Sequence, residues 1–203
     1  MFVKLESICD IQMGYTAKRG LQAVEVGGVP IIQLRDFADD GTIDPEALMA
    51  IQVEDADDRY LVGAGDVLFR SRGTRNTATA LGSEFKWKAL AVLPVVVLRA
   101  NRETVLPEYL AWALNQPGAQ RYFDTEAQGT SMRMISKSSL ASFELALPDL
   151  AMQQSVVSAS VLAEEERRLM MELSDKRYAL ASAYLAQATK TNIKKTHGGK
   201  NGN

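Results

Sequence analysis

The chain has very little of what catalytic and metal chemistry usually draws on. Its 203 residues include one cysteine, Cys9, and one histidine, His197. A single cysteine excludes an intrachain disulfide and fits a reducing cytoplasm. The two residues lie at opposite ends of the chain, which argues against a shared metal site or a cysteine–histidine nucleophile pair. His197 falls in a lysine- and glycine-rich tail and reads as a bystander. There is no G-x-x-x-x-G-K-[ST] phosphate loop, no G-x-G-x-x-G turn, and no Asn/Asp-Pro-Pro-aromatic signature of an adenine methyltransferase. The longest apolar run, near residues 89–98, is interrupted by Pro94 and falls far short of a membrane span. No basic region leads into an apolar run at the N-terminus, so no signal peptide is expected.

A strong charge of either sign is also missing: the formal net charge is −2. The charges are nevertheless segregated. Residues 36–66 hold ten acids and one base, Arg59, whereas residues 67–90 hold five bases and one acid, Glu84. After Asp175 there are six basic residues and no acid. A polyanion can bind the basic segments while the acidic surface faces elsewhere.

What is present is an ordinary hydrophobic fraction of 46%, enough for one sizeable domain with an appendage. Residues 1–150 look mixed and irregular. Strands are expected at residues 29–34, at 67–69 after the turn Gly63-Ala64-Gly65-Asp66, at 90–98, and at 143–147 before Pro148. Pro107 opens a helix over 108–115, which Pro117 and Gly118 end. Residues 71–80 and 129–139 are polar and read as exposed loops. The composition changes at Pro148. From Gln153 to about Lys190 strong helix formers dominate, without Gly or Pro. Ala159, Leu162, Glu166, Leu169, Leu173, Lys176, Leu180 and Ala183 occupy the two seam positions of a heptad register, and six of these eight are apolar. Such a helix needs a partner.

One constellation suggests catalysis. Asp66 with Glu84-Phe85-Lys86 has the residue types with which many nucleases hold Mg²⁺ and a water. Three residues are a short pattern, and Glu84 and Lys86 also read simply as solvent-facing neighbours of Phe85.

Several motifs recur in a definite order. They are Leu5-Glu6-Ser7-Ile8-Cys9-Asp10-Ile11-Gln12-Met13-Gly14, then Val29-Pro30-Ile31-Ile32 with Arg35-Asp36. Leu61-x-x-Gly-x-Gly65-Asp66-Val67-Leu68 follows, with Gly73. Next comes Glu108-Tyr109-Leu110-Ala111-Trp112-Ala113-Leu114. Gly129, Ile135 and Leu140 then lead to Leu147-Pro148-x-Leu150-x-x-Gln153. Across nearly the whole chain this order resembles the specificity subunit of type I restriction-modification enzymes. The first motif resembles the family's opening helix, and the glycine–aspartate motif its central strand. The full family member carries two recognition domains and two long helices; this chain has one of each and is similar to a half-subunit.

The resemblance implies an α+β fold. An irregular mixed-sheet target recognition domain would cover 1–150, a long coiled-coil helix for dimerisation or spacing 151–190, and a basic disordered tail 191–203. It implies a non-catalytic, DNA-binding role in phage defence. The chain would direct a partner adenine methyltransferase, and where present a restriction or translocase subunit, to a bipartite site. It would hold no cofactor of its own; S-adenosylmethionine, ATP and Mg²⁺ would belong to the partner subunits. Arg suits guanine edges, Asn and Gln suit adenine, and lysines suit phosphates. On that basis the expected DNA-binding residues are Gln33, Arg35, Arg70, Arg72, Thr74, Arg75, Asn76, Lys86, Ser131, Arg133 and Lys137. Trp87 reads as a half-buried anchoring ring. Leu162, Leu169, Leu173 and Leu180 are the expected contacts of a homodimer. A different class of function remains open: a protein-interaction module whose long helix is an oligomerisation stalk. Against it, residues 71–80 hold two arginines and an asparagine but no large apolar anchor.

Overall fold

A computed structural model describes residues 1–17, 22–24, 27–38, 41–53, 57–73, 75–127 and 133–197, with side chains through 189. The chain forms two compact units, Met1–Val157 and Ser158–Asn203. Among the described residues no helix is long and apolar enough to cross a membrane.

In chain order the strands are β1 (Phe2–Lys4), β2 (Cys9–Met13), β3 (Val29–Ile32), β4 (Ala50–Ile51) and β5 (Leu61–Val62). They continue with β6 (Val67–Arg70), β7 (Ala78–Ala80), β8 (Ala89–Ala91), β9 (Val95–Ala100) and β10 (Glu144–Ala146). The helices are α1 (Pro107–Leu114), α2 (Pro117–Glu126), α3 (Lys137–Ser142) and α4 (Leu150–His197). An antiparallel sheet of order β2-β9-β6-β7 packs beside a mixed sheet of order β4-β3-β8-β5, in which β3 and β8 run parallel. β1 and β10 pair separately.

The central strands are apolar because both their faces are covered. Val67 and Phe69 of β6, with Val96 and Leu98 of β9, join Leu110, Leu114 and Phe123 of α1 and α2 in the first core. Leu68, Val95 and Val97 point the other way, into a second core with Ile32, Val62, Phe37 and Phe85. Successive side chains thus enter opposite cores, and no polar alternation survives in the sequence.

Several expectations change. The segment 5–14 is not a helix: a 3-10 turn (Leu5–Ser7) leads directly into β2. Cys9 and Ile11 face the core while Asp10 faces solvent, a period of two rather than 3.6. Gly14 is there for a close crossing, since a Cβ would stand 2.5 Å from the Val95 carbonyl oxygen. The apolar run 89–98 is two strands in different sheets, β8 and β9, separated at Pro94, whose peptide bond with Leu93 is cis. Pro117 does not end the helical region; as the first residue of α2 it opens another helix. The loop expected at 129–139 already becomes α3 at Lys137, because the Ser136 hydroxyl accepts the Ser139 N–H at 3.0 Å. The segment 71–80 ends in β7, and its Ser71 and Asn76 are buried. Finally, α4 runs through His197, into the segment expected to be an unstructured tail; the first helix breaker after Pro148 is Gly198.

The acidic stretch also has local structural work. Asp44 and Asp57 cap short 3-10 turns by accepting the N–H groups of Glu46 and Arg59, each at 3.0 Å.

Candidate nucleic-acid interface

The interface is built around the end of β6. Arg70 N–H donates to the Thr77 carbonyl at 2.8 Å, closing the loop 71–76 between β6 and β7. Both ends of the loop are fixed from inside. The Ser71 hydroxyl donates to the Pro94 carbonyl at 2.6 Å, and the Asn76 amide donates to the Arg70 carbonyl at 2.9 Å. Gln120 on α2 reaches the Asn76 carbonyl at 2.8 Å. Beside it, Asn115 makes two bonds to Ala78, accepting its N–H at 2.8 Å and donating to its carbonyl at 2.7 Å. The loop is thereby tied to the helical layer as well as to the sheet.

A second polar segment joins the first. Ile135 N–H donates to the Ser71 carbonyl at 2.8 Å, and Arg72 pairs with Met134 in an antiparallel bridge. Arg72 therefore lies beside the segment that carries Arg133 and Lys137, although some 60 residues separate the two in the sequence. Arg75, Arg133 and Lys137 are exposed. The Arg133 guanidinium donates to the Asp124 carbonyl at the end of α2.

A third segment approaches through an aromatic ring. The Arg70 guanidinium lies 5.5 Å from the ring centroid of Phe37, a cation–π contact. Phe37 follows the turn Leu34–Asp36, where Gln33 N–H donates to the Asp36 carboxylate at 2.7 Å. Arg35 on that turn is exposed and pairs loosely with Asp36 at 3.8 Å. Gln33, Arg35, Arg70, Arg72, Arg75, Arg133 and Lys137 thus come from three segments linked by these contacts.

Within this group the Nε atoms of Arg70 and Arg72 are buried without a hydrogen-bond partner. A buried guanidinium N–H without an acceptor is costly, and such groups are usually matched in a complete structure. The enclosed Nε atoms are out of an outside ligand's reach; the exposed cations around them, Arg35, Arg75, Arg133 and Lys137, are the donors that an outside anion or base edge could meet.

Not every expected residue joins the group. Lys86 is exposed on the segment between β7 and β8, which leaves the sheet beside Asp66, at the other end of β6 from Arg70. Trp87 next to it is exposed rather than the half-buried anchoring ring expected from the sequence. Asn76 is buried and its amide serves the loop itself. Thr74 and Ser131 lie outside the described residues. Phe37, Asn115 and Gln120 were missed by sequence reasoning; a lone aromatic in a polar turn is the one signal that could have found Phe37.

The two carboxylates of the trio Asp66, Glu84 and Lys86 are otherwise occupied. The Asp66 carboxylate accepts the Gly63 N–H at 3.0 Å and pairs with Arg99 at 3.6 Å. Glu84 accepts the Gly82 N–H at 3.2 Å. Among the described residues no group of three or more His, Cys, Asp or Glu could hold a metal. Cys9 is no better placed for chemistry: burial first, and the neighbouring Asp10 charge second, push its thiol up to about 12. An apolar groove of about 600 Å³ is lined by Phe2, Tyr109, Trp112, Tyr122 and Phe143 on the helical side of the domain. Its phenols are spent on backbone carbonyls, Tyr109 on Ala146 and Tyr122 on Ser139, both at 2.8 Å.

Known structures share this fold. The HsdS subunit from Thermoanaerobacter tengcongensis is 20% identical with a TM-score of 0.61, over 82% of this chain and 37% of that one. A chain from a structure of type I R-M complex assembly and conformational transition is also 20% identical, with a TM-score of 0.62 over 97% of this chain and 43% of its own. The type I restriction-modification S subunit from M. genitalium matches at 11% identity and a TM-score of 0.56, over 81% and 39% of the two chains. The chain thus spans well under half the length of these structures. No curated protein matches its sequence. The model of the type I restriction modification DNA specificity domain matches residues 1–159. The chain therefore belongs to the type I restriction modification DNA specificity domain family.

Proposed function

We propose that the domain reads part of a DNA sequence and directs a partner adenine methyltransferase to it. The observation that carries this reading is the joining of three polar segments around Arg70 and Arg72, each segment presenting at least one exposed cation. Arginines held on a firm scaffold suit bidentate contact with guanine edges or phosphates. The exposed Arg75, Arg133, Lys137 and Arg35 would extend the contact, with Gln33 at its margin. Asn76 holds the loop rather than reading bases. Methylation chemistry and its S-adenosylmethionine, and any ATP-driven cleavage, belong to partner subunits in this scheme.

One domain reads one part of a site. We therefore take the exposed stripe of Leu162, Leu169, Leu173 and Leu180 as the contact with a second copy. Antiparallel pairing would give the complex two-fold symmetry and a site of two inverted parts with an unread spacer.

The test has two stages. Mapping methylated adenines in cells that carry only this specificity gene and its methyltransferase gives the target. Gel shifts on that target, with the methyltransferase present, then compare the wild type with Arg72→Ala and Arg75→Ala. Each variant should lose about 1–3 kcal/mol of specific binding while remaining folded. Unchanged affinity in both would show that the reading surface lies elsewhere.

A further inference from the structure

The exposed seam of α4 has a self-complementary order. Ala159, Leu162, Glu166, Leu169, Leu173, Lys176, Leu180 and Ala183 are all exposed in the single chain. Their spacings alternate between three and four residues, starting and ending with three. That order is the same in both directions, so a second copy laid antiparallel can match every layer. With the two-fold axis at Met171, Ala159 meets the partner's Ala183, and Leu162 meets the partner's Leu180. Leu169 meets the partner's Leu173. The two polar members of the seam then meet each other: Glu166 faces the partner's Lys176.

The alternatives lose this match. A shift of one heptad sets Glu166 against Ala183 or Leu169, and Lys176 against Leu173 or Ala159. Each charge then enters an apolar layer unpaired, at a desolvation cost. A parallel pair stacks Glu166 on Glu166 and Lys176 on Lys176, placing like charges together.

The ion pairs within the helix provide a second observation. Glu164 pairs with Arg167, Glu165 with Arg168, and Glu172 with Arg168 and Lys176. Glu166, between them, has no ion partner in its own chain among the described residues. Lys176 meets Glu172 at 2.6 Å through one of its three ammonium hydrogens, leaving others for a second carboxylate. Among the described residues of the seam, the one acid is thus unmatched in its own chain and the one cation has spare donors, at the two places where antiparallel pairing brings them together.

We propose that Glu166 and the partner's Lys176 form the pair that fixes the direction and register of an antiparallel homodimer. The leucine layers supply the attraction, and this pair, present twice by symmetry, selects one alignment among those the leucines permit. The inference rests on the homodimer proposed above and is independent of DNA reading.

The experiment uses the full chain without DNA. Sedimentation equilibrium compares the wild type with Glu166→Lys, which faces lysine with lysine at two contacts; dimer affinity should fall about tenfold or more. Mixing Glu166→Lys with Lys176→Glu should give a heterodimer tighter than either variant alone. Oxidative cross-linking fixes the alignment. A mixture of Ala159→Cys and Ala183→Cys chains should cross-link, whereas neither variant should cross-link with itself. Circular dichroism confirms that each variant is helical. A wild type that is monomeric overturns the homodimer and the pair together. A dimer that Glu166→Lys leaves equally tight, or one that cross-links Ala183→Cys to itself, overturns the pair alone.

Discussion

Gln153 ties the long helix to the recognition domain, and its removal should be costly. The side chain is fully buried. Its carbonyl oxygen accepts the Leu106 N–H at 2.9 Å. Its amide donates to the carbonyls of Thr104 and Pro148, each at 2.9 Å. It thus joins three chain segments: the approach to α1, the end of β10 and the first turn of α4. Gln153→Ala deletes three hydrogen bonds at about 1 kcal/mol each and strands a buried N–H, so the expected loss is about 3–4 kcal/mol. In a chain of this size that lowers Tm by roughly 6–16 °C. Urea unfolding followed by tryptophan fluorescence reads it, with exposed Gln154→Ala as a control expected to change stability by under ~0.5 kcal/mol. A loss below about 1 kcal/mol for Gln153→Ala would refute the reasoning, because it would mean that water replaces all three bonds.

Leu169→Asp with Leu173→Asp places carboxylates in the central layers of the proposed seam, so sedimentation should show monomers and methylation of the two-part site should vanish. Asp66→Asn and Glu84→Gln should leave any DNA cleavage by the assembled complex in place; Mg²⁺-dependent cleavage by the purified chain, lost in these variants, would reverse the assignment of Asp66 to turn and ion pair. Cys9 should resist thiol reagents at pH 8 until the chain is unfolded, as mass spectrometry of labelled protein would show. Because the fold raises this thiol from 9.0 to about 12, its effect on stability is constant below pH 9 and becomes increasingly unfavourable above it, as the unfolded chain loses the proton first. Alkaline unfolding curves of wild type and Cys9→Ser should diverge in that range.

The helical end of the molecule was legible in the sequence because one element carries its own periodicity. The absence of Gly and Pro after Pro148 pointed to a long helix and the leucines to its stripe, although α4 runs to His197, past the expected end at Lys190. The short strands were harder. Residues 5–14 fit a helix or a strand by apolar count, and only pairing with β9, a non-local fact, decides between them. The expected strand 90–98 is apolar throughout because both cores demand apolar residues, and Pro94 alone marked the place where the chain changes sheet. In the candidate site, residue types pointed to the arginines, but not to their company. The bridge between Arg72 and Met134, and the ring of Phe37 under Arg70, depend on contacts between distant segments. Asn76 shows the converse: the residue type that suits adenine equally suits a loop's own carbonyl.

The bonds at the two ends of the loop after β6 have an evolutionary consequence. Ser71 and Asn76 anchor it through their own side chains, and the backbone of Pro94 and Ile135 and the side-chain amide of Gln120 hold it from outside. Among the described residues of the loop, Arg72 and Arg75 take no part in these closing bonds. Mutations there can change what is contacted without loosening the frame, whereas changes at Ser71 or Asn76 alter the frame itself. Lineages under pressure to shift their target would therefore vary between these two bookends and keep the bookends constant, so that new preferences arise by exchange of a few side chains on an inherited scaffold.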